Sequence, residues 1–182
     1  RLHSVICGPG PGNMYDRGCS IYSTAMAISC VLDTEITPYE VIKDVLKTDI
    51  SKRADGKYGF ILDGTRGIVN KDYMGMNKTT LANSIMEVYG SMGIKAQAIP
   101  ISQDSVDDVL NNKGGMVIFS FAGKSDKWAW YPGEGHFMCL RKKDSNGLYY
   151  KLDSTADACG KRNRPRDNMD LGLPWDEVKA HI

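Results

Sequence analysis

Long apolar runs are missing from this sequence. None approaches the ~20 residues a membrane-spanning helix requires, so nothing in the chain reads as a helical membrane span. A net charge is missing too: 23 Lys and Arg stand against 22 Asp and Glu, giving +1. That balance makes no electrostatic case for a nucleic-acid or anionic membrane-surface partner. No CxxC, CxxH or HxxxH spacing occurs, which argues against structural zinc and against a thioredoxin-type redox pair. Internal repeats and low-complexity segments are absent as well. The opening "RLHSVICGPGPG" has too short an apolar stretch for a signal peptide. A chain that begins at Arg1 rather than Met is expected to be a processed protein or an excised domain.

What is present is ordinary globular material. With 182 residues, 42% hydrophobic and 25% charged, the chain is expected to form a single domain over 1–182 around one sizeable core. Five cysteines (Cys7, Cys19, Cys30, Cys139, Cys159) are too few for a disulfide-dense scaffold, and the odd count leaves at least one unpaired within the chain. Cys7 and Cys159 could pair or stay free, whereas Cys30 and Cys139 lie in apolar patterns and read as core.

Ile21, Ala25, Ile28 and Leu32 recur at helical spacing, which predicts a buried helix starting at Cys19 or Ser20. Thr37-Pro38-Tyr39-Glu40 is a capping-box start, opening a helix that turns Val41, Val45 and Leu46 inward. Residues 50–78, rich in Gly, Asp and Lys, read as a surface excursion. Thr79 or Thr80 is expected to cap the next helix, with Leu81, Ile85 and Val88 on one face and an end at Gly90 or Gly93.

The second half changes period. "IKAQAIP" reads as a short strand, "SQDSVDDVLNN" as a short helix and "GMVIFSFAG" as a buried strand. "GHFMCLRKKD" and "GLYYKLDST" are strands joined by the hairpin turn "DSNG". "KRNRPR" reads as a solvated basic loop, and "LPWDEVKA" as a closing helix start. Helices followed by an antiparallel sheet give an α+β class.

Candidate chemistry starts at Cys19. As a core filler, a thiol has no need of a helix N-terminus, but the free N–H groups and positive dipole end there favour a thiolate. A base is then required, and there are only three histidines. His3 and His181 sit near the chain ends, while His136 opens a strand. The hairpin returns Asp153 beside His136, where a carboxylate can hold one ring nitrogen and orient the other. Trp128, Trp130 and Tyr131 precede His136 and could either line a cleft or cap the sheet.

The stretches "RGCSIYSTAMAISCVL", "KGGMVIFSF", "GEGHFMCLRKKDSNGLYYKLDST" and, more weakly, "LPWDEVKA" resemble the C39-like branch of papain-like cysteine peptidases over roughly half the chain. The resemblance implies a papain-like fold, N-terminal helices packed on an antiparallel sheet, with Cys19, His136 and Asp153 as the catalytic set. The family's oxyanion-hole glutamine lies six residues before its cysteine; Asn13 stands there, one methylene shorter but still carrying an NH2 donor. The family's usual "GCGP" is "GCSI" here. The expected reaction is hydrolysis of an amide bond in a peptide or a peptidoglycan cross-link through an acyl-enzyme, with no metal or organic cofactor. The resemblance also implies a secreted, cell-wall or phage-particle setting in bacteria. Two alternatives stand beside it. One is an inactive papain-like binding or structural module. The other is a leader-peptide-processing peptidase, whose branch usually carries a "DCG" that "RGCS" lacks.

Overall fold

The helix predicted from Ser20 to Leu32 runs from Cys19 to Leu32 in the computed structural model, which describes residues 6–7, 18–52, 54, 56–60, 68, 76–121, 136–153, 171–180 and 182. The chain is mixed α and β, and divides into two compact units, Arg1–Ala98 and Ile99–Ile182. Each has its own apolar cluster. Among the described residues no helix is long and apolar enough to cross a membrane.

In the first unit a two-residue strand β1 (Ile6–Cys7) precedes helix α1 (Cys19–Leu32). Ile21, Ala25 and Ile28 are buried on one face of α1. Cys30, expected in the core, is exposed. At 3.6 residues per turn it lies about 180° around the helix from Ile21, so the apolar run concealed its facing. Helix α2 (Pro38–Glu40) opens on the predicted capping box: the Glu40 N–H donates to Thr37 Oγ1 (3.2 Å) and the Thr37 N–H to Glu40 Oε2 (2.7 Å). It continues as a π-helical Val41–Val45, and Val41, Ile42, Val45 and Leu46 are fully buried.

Helix α3 (Lys78–Tyr89) begins two or three residues earlier than expected. Asn77, not Thr79 or Thr80, is the N-cap, its Oδ1 accepting from the Thr80 N–H (3.0 Å). Asn ranks above Thr as a cap, and its extended backbone lets the side chain reach the first turn. The 50–78 excursion holds two strands the sequence did not announce, β2 (Ser51–Lys52) and β3 (Tyr58–Phe60). β3 is central, antiparallel to β2 and parallel to β1.

The expected strand in "IKAQAIP" is not formed. The Ile94 N–H is taken by Tyr89 O at the end of the preceding turn (3.3 Å), and Pro100 O accepts from Ser102 (3.0 Å), so both ends of the segment are drawn into turns. In the second unit Ser102 caps helix α4 (Gln103–Asp107), which continues as a π-helical Asp108–Asn112. Strands β4 (Val117–Phe121), β5 (His136–Lys143) and β6 (Tyr149–Leu152) form the predicted antiparallel sheet in that order. The "DSNG" turn closes β5 onto β6, with Gly147 at φ 79° and Asp144 Oδ1 accepting from the Asn146 and Leu148 N–H groups. Helix α5 (Trp175–Lys179) follows Leu173, which bridges to Tyr149.

The register of this sheet decides what faces what. β4 pairs with β5 as Phe119 with Met138 and Phe121 with His136; β5 pairs with β6 as Leu140 with Lys151. Since paired residues share a face and alternate residues along a strand share a face, Phe119, Phe121, His136, Met138, Leu140, Tyr149, Lys151 and Asp153 all point the same way. That face carries the unit's apolar cluster, joined by Val106 and Leu110 and by Leu173, Trp175 and Val178.

Between Leu140 and Lys142 a bulge adds one residue to β5. It shifts the parity, so Lys143 rather than Lys142 lies on the cluster side. There Lys143 Nζ donates to Asp107 Oδ2 (2.6 Å), while Tyr149 Oη donates to Asp107 Oδ1 (2.6 Å). Lys142 instead lies over the Tyr150 ring, 4.4 Å from its centroid.

Candidate active site

Cys19 is the first residue of a 14-residue helix, half-buried and free as a thiol. Its N-cap is Gly18, which carries no side-chain acceptor for the first turn; the first turn holds no acidic residue either. Gly18 O accepts from the Tyr22 N–H (3.0 Å) and Ser20 O accepts from Thr24 Oγ1 (2.8 Å), so the helix is well formed from its start. Unsatisfied N–H groups and the dipole at such an end stabilise negative charge on a side chain placed there.

His136 and Asp153 are brought together as the hairpin predicts. Asp153 lies one residue past Leu152, which pairs with Cys139, so it stands level with Met138 and diagonal to His136 on the shared face. His136 Nε2 and Asp153 Oδ1 are 2.7 Å apart, with His136 2% and Asp153 4% exposed. An ionised carboxylate only accepts, so Nε2 carries the hydrogen and donates, and any proton exchange with a thiol runs through Nδ1. A carboxylate in this place fixes the ring's tautomer and orientation and supports positive charge on it.

A third ionisable group belongs to the cluster that sequence reasoning passed over. Lys151 Nζ donates to Asp153 Oδ2 at 3.1 Å, and Lys151 is 0% exposed. The signal was in "YYKLD": period two puts Tyr149, Lys151 and Asp153 on one face, so a buried Asp153 implies a buried Lys151. Lysine is so seldom fully buried that this position is ordinarily read as solvent-facing.

Cys19 belongs to the first unit, and His136 with Asp153 to the second. Asn13, the aromatic residues Trp128, Trp130 and Tyr131, the "KRNRPR" run, Cys159, His3 and His181 lie outside the described residues, and of Cys7 only the backbone is described. Cys139, expected in the core, is fully buried. Among the described residues no group of three or more His, Cys, Asp or Glu side chains is arranged to hold a metal ion. No family model matches the chain, and no curated protein or solved structure matches it either.

Proposed function

We propose that the chain is a papain-like cysteine peptidase of the C39-like kind, hydrolysing an amide bond in a peptide or a peptidoglycan cross-link. The buried His136–Asp153 bond carries this reading, because a carboxylate fixed on one ring nitrogen is what a catalytic imidazole requires. Cys19 at the start of a helix with a glycine cap supports it from the other side. In the proposed reaction His136 Nδ1 takes the Cys19 proton, and the thiolate attacks the substrate carbonyl carbon. The Asn13 side-chain amide and the Cys19 N–H donate to the tetrahedral oxyanion. The C–N bond then breaks as His136 returns the proton to the leaving amine. Water, deprotonated by the same ring, releases the acyl group and regenerates the thiol. With this reading goes a setting that is secreted or associated with a cell wall or phage particle.

Accessibility and activation make opposite predictions for the three described thiols, and this gives the test. Cys30 is exposed, Cys19 half-buried and Cys139 buried. If access alone governs alkylation, Cys30 reacts first with iodoacetamide. If Cys19 is an activated nucleophile, it reacts about tenfold faster than Cys30 near neutral pH, and His136→Ala removes the advantage. Site-resolved mass spectrometry reads both. On a peptide or cross-link substrate, Cys19→Ala and His136→Ala then abolish turnover, and Asn13→Ala lowers it by about 10² to 10³. Cys30 labelling first, with Cys19 indifferent to His136→Ala, overturns the reading and leaves the non-catalytic module, which the shorter Asn13 at the oxyanion position also favours.

A further inference from the structure

A lysine with no exposed surface is costly to keep charged, and this one sits two residues before the carboxylate it pairs with. Lys151 lies away from the surface, on the face of β6 that it shares with Tyr149 and opposite Leu140 of β5. Its head group is committed to Asp153 Oδ2, as His136 is to Oδ1. The three side chains form one relay, Lys151–Asp153–His136, along the cluster face of the sheet.

We infer that Lys151 is a positioning residue of the proposed site: its buried ammonium anchors Asp153 Oδ2, which fixes Oδ1 on His136 Nε2 and balances the charge of the His–Asp pair. The inference rests on the reading of His136 as the catalytic base, and its physical core can be followed without turnover. With Lys151 in place, loss of the imidazolium proton leaves a neutral Asp153–Lys151 ion pair. Without it, the same step leaves a buried carboxylate without that ammonium, which is far less favourable. Lys151 therefore keeps the His–Asp pair from holding its proton too tightly. An imidazolium locked onto an unbalanced carboxylate is a poor acid for a leaving amine, and acid–base catalysis works best with a proton affinity matched to the working pH.

Few other groups on the face could supply this effect among the described residues. β4 contributes Phe119 and Phe121, which do not titrate. Asp107 of α4 is engaged by Lys143 and by Tyr149 Oη. On α5, Asp176 and Lys179 are exposed and Glu177 half-buried, and Cys139 lies on the opposite face of β5.

The experiment is a pH titration of the His136 imidazole by NMR in the whole chain, comparing the natural protein with Lys151→Met and Lys151→Arg. In Lys151→Met the His136 midpoint should move to higher pH by about one unit or more, and Lys151→Arg, which keeps the cation, should restore most of the natural behaviour. An unmoved or lowered midpoint in folded Lys151→Met overturns the inference. Should Lys151→Met not fold, the unsubstituted protein decides: the Lys151 side-chain nitrogen signal should stay that of an ammonium and shift at the pH where His136 titrates. A neutral Lys151 amine, or an ammonium signal indifferent to His136, overturns it equally. Neither readout involves Cys19, so failure of the peptidase reading appears in the alkylation experiment and failure of the Lys151 inference in the titration.

Discussion

Among the described residues, the buried polar side chains under the helices of the first unit are hydroxyls: Ser23, Thr24 and Ser84. Thr24 donates to Ser20 O within its own helix, and Ser84 donates to Val45 O of the segment packed beside it. Under the sheet of the second unit, again among the described residues, the buried polar side chains are His136, Lys151 and Asp153, all ionisable. The two solutions carry different risks. A hydroxyl bonded to a nearby carbonyl asks nothing of a distant residue, and its loss leaves one unsatisfied oxygen. A buried ionised group depends on its partner, because removing one member leaves the other charged and dry. Replacing a whole buried ionic cluster with well-packed apolar residues is often neutral or stabilising. On the proposed function, the charged core is the one that would carry the chemistry, since functional sites are where buried ionisable groups gather.

The comparison breaks hardest at Asp153. Asp153→Ala removes the carboxylate from both His136 and Lys151 and should lower unfolding stability by about 3–5 kcal/mol in urea. The double change Asp153→Ala with Lys151→Met should recover most of that loss, since it removes the stranded ammonium along with the carboxylate. A double variant as unstable as the single one would mean that packing, not charge, holds this end of the sheet.

Ile42→Val probes the other core. One methyl group leaves a fully buried site, and the expected loss is about 0.5–1.5 kcal/mol, the same at pH 5 and pH 8. A pH-dependent loss would show that the first core also hides a titrating group, and the contrast between the two cores would fail.

How much of this was legible depended on how local the determining interactions are. β5, β6 and the His136–Asp153 contact could be read because a four-residue turn fixes the register and period two fixes the face. The capping box at Thr37 and Glu40 could be read because its partners are three residues apart. β2 and β3 could not: two or three residues show no period, and the partner β1 lies some fifty residues away in the chain. The cap at Asn77 is hard to tell from Thr79 and Thr80 on sequence, because three capping residue types fall within four positions and only backbone geometry chooses between them. Cys30 was misjudged because α1 is apolar on more than one side. Lys151 was hidden by its residue type, although its parity with Asp153 was already in the sequence.

The smallest expected effect lies at the edge of the first unit, where a charge acts in solvent rather than in a core. Glu40 closes the capping box, and its carboxyl is held below its ordinary value of 4.5, chiefly by the Thr37 backbone N–H and then by the Thr37 hydroxyl, with burial opposing. A depressed folded-state value means that the group contributes stability above pH 4.5, and that the contribution is lost as pH falls through the lower folded value. Glu40→Gln keeps an oxygen that can accept from Thr37 but removes the charge near the helix start. The expected loss near neutral pH is about 0.3–1 kcal/mol. Because glutamine does not titrate, the gap between the two proteins should narrow as pH falls below 4.5 and Glu40 takes up its proton. Urea unfolding at pH 6 and pH 3 measures that gap directly, and carboxylates elsewhere, such as Asp108 and Asp144, which are also held below their ordinary values, cancel between the two proteins. A gap equal at both pH values would mean that Glu40 acts through its hydrogen bonds alone, and the capping box would then owe nothing to charge.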